Sequence, residues 1–141
     1  MHWFQCICRI YNMKDTDTFS ITNTTRATLP RISFADIKNI ALGKNYNLSL
    51  VFIGERRSRT LNRAYRDKDK PTNILSFTLD KNEGEIFITL KKAEREAKQF
   101  DRTFQNFIAF LFIHGCMHLK GMEHGSTMEK AEEKLRRAFR I

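Results

Sequence analysis

The chain has few cysteines and no long apolar run, and each absence excludes a class of protein. Its three cysteines are too few, and odd in number, to form the disulfide framework of a small secreted domain. The seven apolar residues from Phe107 to Ile113 fall far short of the ~20 that cross a bilayer. The N-terminal residues lack a basic segment followed by a long apolar core, which argues against secretion. We therefore expect a cytoplasmic protein with no membrane partner.

What the chain does contain favours a single domain. Its 141 residues match one ordinary domain, and 41% of them are hydrophobic, including twelve phenylalanines that can fill a core. Residues 1–14 show no clear pattern, so we expect a loosely ordered extension, followed by one domain at residues 15–141. Cys6 and Cys8 have no second cysteine pair with which to complete a structural zinc site.

Hydrophobic periodicity predicts an α/β fold of the α+β type, with about four strands in a mixed sheet covered by about five helices. Alternating or β-branched segments predict strands at residues 19–22, 48–53, 73–79 and 85–90. Helical spacing and capping residues predict helices at residues 34–42, 56–65, 91–100, 103–119 and 127–139. The fourth of these helices is apolar on nearly every side, which is typical of a buried central helix.

The balance of charge indicates a polyanionic partner. Lys and Arg number 25 against 16 Asp and Glu, which gives a net charge of +9. One basic cluster comprises Arg56, Arg57, Arg59, Arg63, Arg66, Lys68 and Lys70, and a second comprises Lys134, Arg136, Arg137 and Arg140. Such clusters attract phosphate groups whatever the nucleotide sequence, although a solvated helix face has the same pattern. The sequence shows no aromatic stacking platform, so we expect recognition of RNA shape more than of bases.

Three of the four histidines lie within eleven residues, at His114, His118 and His124. His114 and His118 are four residues apart, so on a helix they share one face, one turn apart. Gly121 can end that helix in a left-handed turn, and the reversal can bring His124 beside the other two. Three imidazoles leave one tetrahedral position open, as in catalytic zinc sites. The spacing predicts one divalent metal ion, expected to be Zn²⁺; the alternative is a polar helix end that carries histidines by chance.

The residues between the histidines refine this prediction. Gly115 stands where the helix of zinc proteases carries its general-base Glu, so a protease of that type is disfavoured. Glycine costs about 1 kcal/mol of helix propensity, and close backbone packing is the expected compensation. Cys116 projects from roughly the opposite helix face to His114 and His118, and we expect it to be buried. Glu123 either orients an imidazole or relays a proton, or it is a solvated turn residue.

Several segments match the motifs of one known family. Residues 114–124 are similar to the signature His-Gly-x-x-His-Leu-x-Gly-x-Asp-His, and residues 61–77 to Leu-Asn…Tyr-Arg…Lys-Asp…Pro-Thr-(Asp/Asn)-Val-Leu-Ser-Phe. Gly84-Glu85-Ile86 stands where that family usually has Gly-Asp-Ile. These matches, in the same order over most of residues 16–140, resemble the YbeY family of bacterial rRNA-maturation endoribonucleases. The departures are Glu85 and Glu123 in place of Asp, and Thr78 where Pro often follows Ser-Phe.

The resemblance implies a metal-dependent, single-strand-specific endoribonuclease that matures the 3′ end of 16S rRNA and acts in ribosome assembly and quality control. Its implied partners are ribosomal RNA, single-stranded RNA, the small ribosomal subunit and ribosome-assembly proteins. A metal on the three histidines would lower the pKa of bound water towards ~7. The expected catalytic residues are Arg66 and Glu123, with Thr72 and Ser76 as candidate phosphate contacts. The expected RNA-binding residues are Arg56, Arg57, Arg59, Arg63, Lys68 and Lys70.

Arg66 is assigned to the chemistry because it follows the basic helix and matches an arginine of the family motif. A guanidinium can grip phosphate bidentately and stabilise charge in the transition state. The alternative is a surface arginine or a helix cap.

Two other functions stay open from the sequence. One is a non-catalytic, metal-stabilised ribosome-assembly factor, which metal-dependent turnover of RNA would exclude. The other is a zinc hydrolase of peptides or small molecules, which Gly115 and the positive net charge both disfavour. The sequence does not specify the oligomeric state.

Overall fold

The computed structural model describes residues 18–141, which form four strands and five helices. The strands are β1 (Phe19–Asn23), β2 (Asn47–Ile53), β3 (Ile74–Asp80) and β4 (Glu83–Thr89). The helices are α1 (Phe34–Leu42), α2 (Glu55–Arg66), α3 (Leu90–Gln99), α4 (Phe104–Leu119) and α5 (Ser126–Phe139). The predicted α+β fold is confirmed, with element ends that differ by no more than two residues. The predictions for residues 1–14, including Cys6 and Cys8, lie outside the described residues.

The four strands form one mixed sheet in the order β1-β2-β4-β3. β1 pairs with β2 and β2 with β4 in parallel, whereas β3 and β4 form an antiparallel hairpin. Leu50 of β2 lies opposite Ile21 of β1 and Ile86 of β4, so apolar side chains are aligned across three strands. The central strands β2 and β4 are buried over most of their length, as expected for strands covered on both faces.

Helices cover the two faces of the sheet unequally. The larger core joins one face of the sheet to α1, α3, α4 and α5, and it contains Leu50, Phe52, Ile86 and Ile88. The smaller core lies on the other face, where Leu61 of α2 packs against Val51, Ile53, Leu75 and Phe87. The alternation of side chains along β2 and β4 divides their residues between these two cores. Helix α2 is therefore separated from α4 by the sheet.

Helix α4 is the centre of the larger core. The Thr103 side chain caps its first turn by accepting a hydrogen bond from the Asn106 backbone N–H at 3.1 Å. Phe112 is fully buried and its ring meets that of Phe34 edge-on, with centroids 5.1 Å apart. Truncating such a phenylalanine to alanine would cost about 3–5 kcal/mol of stability. Although α4 is strongly apolar, none of the described helices is long and apolar enough to cross a bilayer.

The chain reverses sharply where α4 ends. The Met122 N–H donates to the Met117 carbonyl at 3.1 Å, and the Gly121 N–H donates to the His118 carbonyl at 2.9 Å. This hydrogen-bond pair is a Schellman motif, which needs a left-handed residue at the glycine position. Gly121 has φ = +93°, which confirms the predicted left-handed turn. The reversal carries the following residues back along the end of the helix.

Candidate metal centre

The end of α4 and the turn after it bring the three predicted metal ligands together. His114 and His118 lie on one side of α4, with their Nε2 atoms 3.1 Å apart. His124 lies on the returning chain, and its ring centroid is 5.2 Å from that of His114 and 4.8 Å from that of His118. Ligand atoms of all three histidines lie within 4.8 Å of one another. The three histidines are therefore close enough to bind one metal ion.

The donor set fits a divalent metal. Tetrahedral zinc with Zn–N bonds of about 2.0–2.1 Å holds its ligand nitrogens about 3.3 Å apart. The 3.1 Å between the Nε2 atoms of His114 and His118 is close to that spacing. Burial lowers the pKa of His118, and the neighbouring His114 and His124 lower it further. A lowered pKa favours the neutral imidazole, which is the form that offers a lone pair to a metal.

Glu132 of α5 fixes the orientation of the first ligand. Its side chain is buried, with 7% of the residue exposed, and its Oε1 lies 2.7 Å from Nδ1 of His114. Because a carboxylate can only accept, Nδ1 carries the proton and Nε2 keeps its lone pair for the site. Carboxylate–histidine pairs of this kind commonly orient zinc ligands. Arg136 approaches the other carboxylate oxygen, Oε2, at 3.5 Å, so both oxygens have a partner.

The sequence reasoning missed Glu132, although a signal was present. Met128, Glu132 and Leu135 follow one another at helical spacing and are all buried, so the glutamate lies on the apolar face of α5. A carboxylate on such a face needs a buried partner, because an unpaired buried charge is strongly unfavourable. The motif gave no indication that the partner would be His114, which lies 18 residues earlier.

Gly115 allows α4 to approach the sheet closely beside the histidines. A Cβ atom at this position would lie 2.9 Å from Ile74 Cδ1, 3.0 Å from Ser76 Oγ and 3.1 Å from Ile86 Cδ1. The expected close packing is confirmed, and it places Ser76 against the backbone of α4. Cys116 is fully buried, as expected, and burial raises the pKa of its thiol. A protonated, buried thiol is a poor metal ligand, which is consistent with a site made of imidazoles.

Arg66 and Glu123 both lie at the surface, in different parts of the molecule. Glu123 is exposed on the turn after α4. Arg66 is exposed at the end of α2 and lines a cleft of about 290 Å³ with Lys68, Lys70 and Lys92, here called the arginine cleft. Thr72 also lines this cleft. The role predicted for Glu123 stays a prediction; among the described residues, the carboxylate hydrogen-bonded to a site histidine is that of Glu132.

His114 and His124 line a separate and larger opening. The histidine cleft, lined by His114 and His124 together with residues of α4 and α5, has a volume of about 550 Å³. Asn73 lines both clefts, and its side-chain amide donates to Glu96 Oε1 at 2.7 Å. The two clefts therefore meet at one residue at the start of β3.

The predicted RNA-binding residues are not equivalent. Arg56, Arg59, Arg63 and Arg66 occur at helical spacing along one exposed side of α2, here called the basic face. Asp69 neutralises part of it, because its carboxylate binds Arg59 through two hydrogen bonds of 2.8 and 3.0 Å and lies 3.8 Å from Arg63.

The remaining predicted RNA-binding residues differ in exposure. Arg57 is half-buried, and burial lowers its pKa. Lys68 and Lys70 are exposed in the arginine cleft. Among these residues and Arg66, the cations most available to a phosphate are therefore Arg56, Arg66, Lys68 and Lys70.

The sequence shows no aromatic stacking platform, but the structure brings three phenylalanine rings together beside the histidines. Phe100, Phe107 and Phe110 all line the histidine cleft. Their rings form a series of stacked pairs, with interplanar angles of 15° and 12°. The sequence did not reveal this arrangement because Phe100 follows α3, whereas the other two residues belong to α4, and only the packing of the two helices joins them.

Comparison with known proteins identifies one family. The family described as Endoribonuclease YbeY matches residues 10–139 of the chain. A relative of that name from Geobacillus is 34% identical over 111 residues, which cover 68% of this chain and 70% of the relative. One from Burkholderia lata is 35% identical over 119 residues, covering 80% and 69% of the two chains. One from Phytoplasma mali is 40% identical over 86 residues, covering 59% and 58%.

A solved structure agrees with the fold. The solution structure of a protein from Thermotoga maritima aligns with a TM-score of 0.62 over 84% of this chain and 86% of that protein. At 22% identity, this similarity concerns the fold alone. The family match extends over nearly the whole chain, including the three clustered histidines. The chain therefore belongs to the YbeY family.

Proposed function

We propose that this protein is a metal-dependent endoribonuclease that cleaves single-stranded RNA. The observation that carries the proposal is the convergence of His114, His118 and His124 in an open cleft, with Glu132 hydrogen-bonded to the first of them. Relatives of the chain are named as endoribonucleases, and its net charge of +9 suits a polyanionic substrate. The proposed alternatives, a non-catalytic assembly factor and a hydrolase of other substrates, have no comparable support.

The three histidines would hold the metal as neutral imidazoles, and Glu132 would keep Nε2 of His114 directed into the site. A divalent cation held there supplies Lewis-acid polarisation of a phosphoryl group and activation of water near neutral pH. Gly115 brings β3 close to the helix that carries two of the histidines, so the sheet supports that helix beside the site. The chain thus supplies a fixed site beside which a phosphodiester can be placed.

Arg66 would grip the RNA backbone on the far side of Asn73. The arginine cleft adjoins the histidine cleft at that residue, so we place the scissile phosphodiester at their junction, between the histidines and Arg66, with the next phosphate at Lys68 and Lys70. A guanidinium holds phosphate in a planar, bidentate geometry that an ammonium group lacks. In this proposal Arg66 positions the strand and stabilises charge that develops on the phosphoryl group.

The more specific proposal is that the substrate and the partners of the protein belong to the ribosome. We propose that the substrate is single-stranded rRNA near the 3′ end of the small-subunit RNA, that the small ribosomal subunit and its assembly factors are partners, and that the protein works in the cytoplasm. We also propose Glu123, which is exposed on the turn directly before His124, as a proton relay. Mapping the 3′ ends produced from a small-subunit precursor RNA tests the assignment: cleavage scattered along the precursor would contradict it.

The proposed activity is tested with matched substrates. The protein is incubated with a single-stranded RNA, its duplex and the corresponding single-stranded DNA, each with and without chelator and then with added Zn²⁺. We expect cleavage of the single-stranded RNA only, its loss on chelation and its return with metal. Cleavage that persists in chelator, or that is equal for the His118→Ala variant, would exclude the proposed mechanism.

A further inference from the structure

Part of the lining of the histidine cleft is aromatic and open to solvent. Phe100 is 60% exposed although it is a large apolar residue. One face of its ring stacks on Phe107, with centroids 5.4 Å apart and planes at 15°. Phe107 in turn stacks on Phe110 at 5.9 Å and 12°. The series of three rings therefore ends at Phe100 in an exposed aromatic surface inside the same cleft as His114 and His124.

Two arginine side chains lie against Phe110, at the other end of the ring series. The guanidinium carbon of Arg102 lies 4.5 Å from the centroid of Phe110, and that of Arg136 lies 5.3 Å from it. Arg136 also lines the cleft and approaches Glu132, whose other oxygen contacts His114. Arg136 therefore contacts both the ring series and Glu132, the residue that orients the first metal ligand. Phe110 is already occupied by the two guanidinium groups, so the surface available to a ligand is that of Phe100.

The charged residues that line the histidine cleft indicate which chemical groups can bind there. Glu129 and Glu133 line its α5 side. Glu133 pairs with Arg137, and the carboxylate of Glu129 can accept hydrogen bonds from the N–H groups of a base. The cleft volume of about 550 Å³ lies in the range of sites that enclose a small organic group. A flat, uncharged ring with exocyclic amines suits the aromatic and carboxylate lining of this cleft, whereas the backbone phosphates are better placed at the metal-binding histidines and in the arginine cleft.

We propose that the histidine cleft contains a nucleobase subsite, in which one unstacked base of the bound RNA lies on Phe100 while an adjacent phosphate sits at the three histidines. This inference rests on the proposed endoribonuclease function and adds the element that positions the strand. A base within a duplex is already stacked and paired, so it cannot enter without being pulled out of the helix. The subsite thus supplies a physical reason for a preference for single strands.

The test separates base stacking from other effects of Phe100. Phe100→Leu keeps an apolar side chain without an aromatic face, and Phe100→Tyr keeps the face. The control is Ile40→Ala, because Ile40 is 63% exposed on α1 and lines none of the described clefts. Affinity for a labelled single-stranded RNA is measured by fluorescence anisotropy on metal-loaded protein before turnover, and metal content is measured for every variant.

We expect Phe100→Leu to weaken binding by about 5- to 160-fold, the range found when a stacking aromatic is removed. Phe100→Tyr and Ile40→Ala should bind as the unchanged protein does, and metal content should be equal throughout. A set of RNAs that each lack one base identifies the stacked position. The unchanged protein should bind the RNA that lacks the stacked base about as weakly as Phe100→Leu binds the intact RNA. Phe100→Leu should bind that abasic RNA almost as well as it binds the intact RNA.

Three results would overturn the subsite. Phe100→Leu could bind RNA normally, or its defect could be the same for every abasic RNA, which would indicate a contact with the backbone. The sedimentation coefficient of Phe100→Leu could differ from that of the unchanged protein while its RNA affinity does not. That result would show that the exposed ring contacts another protein molecule. Failure of the endoribonuclease proposal is distinguishable: base-dependent binding without cleavage would contradict the activity alone, and cleavage indifferent to Phe100 would contradict the subsite alone.

Discussion

The histidine cleft and the basic face of α2 belong to helices on opposite faces of one sheet, and they are constructed differently. In the histidine cleft, two ligands share a helix whose other sides are buried, and the 2.7 Å contact with Glu132 fixes one imidazole. On the basic face, long side chains are exposed and some are held only by Asp69. Catalysis depends on fixed geometry, whereas capture of a polyanion needs only charge at the surface.

This difference predicts that changes at the histidines act on chemistry and that changes at Arg56 and Arg63 of the basic face act on affinity. The largest effect is expected for His118→Ala. Loss of a ligand should release the metal and, with it, several kcal/mol of transition-state stabilisation, which is about 10³-fold in rate. Elemental analysis and single-turnover cleavage measure the two effects. Lys120→Ala, an exposed change at the same helix end, is the control.

Arg66→Ala tests whether the arginine cleft takes part in chemistry or only in binding. We expect the single-turnover rate at saturating protein to fall by about 10²–10³, as for loss of one electrostatic donor, with metal content unchanged. Arg66→Lys should restore only part of the rate, because an ammonium lacks the planar fork. Arg56→Ala, on the same face of α2, is the control and should keep its rate. If affinity falls as far as rate in Arg66→Ala, Arg66 belongs with the binding residues.

Glu132→Gln tests the anchoring of the first ligand. The amide has nearly the same shape but is a weaker acceptor, so His114 should be oriented less firmly and metal affinity should fall by about 10- to 100-fold. Competition with a chelator of known affinity measures this change. The control is Glu133→Gln, because Glu133 is the next residue, is exposed and pairs with Arg137 instead. Equal metal affinity in the two variants would show that the contact with His114 is incidental.

The smallest effect is expected on the basic face. The double variant Arg56→Gln and Arg63→Gln should weaken RNA binding at low salt, and its plot of log affinity against log salt should be shallower by about 0.7 for each RNA phosphate that is no longer neutralised. Metal content and saturated rate should not change. Arg26→Gln with Arg31→Gln removes the same charge from the loop between β1 and α1. If the two double variants show the same salt dependence, the basic face contributes to RNA binding only through its net charge.

The comparison also explains which parts of the molecule were predictable. His114, His118 and His124 could be placed from sequence because helix spacing and one glycine turn determine their geometry locally. The fold class followed from hydrophobic periodicity, and the family from the order of its motifs. Glu132 and the Phe100 stack depend on how α5 and α3 pack on α4, which no local pattern specifies.

The location of Arg66, like the contacts of Glu132 and Phe100, could not be predicted from the sequence. The sequence suggested its chemical role but not its location, and the structure places it in a cleft that meets the histidine cleft at Asn73. The arrangement of the two clefts depends on the hairpin of β3 and β4 and on the packing of α2 across the sheet. Such long-range relations arise from tertiary structure, so the path of an RNA strand could be proposed only once the fold was known.

The central claim is that one metal ion on three histidines makes the histidine cleft a nuclease site. It is tested most directly by adding Zn²⁺ stepwise to metal-free protein and measuring the single-turnover cleavage rate of a single-stranded RNA at each step. The account predicts no cleavage without metal and a rate that rises linearly and levels off at one ion per chain. Full cleavage by the metal-free protein, or a zinc-dependent rate that is unchanged in His118→Ala, would contradict it.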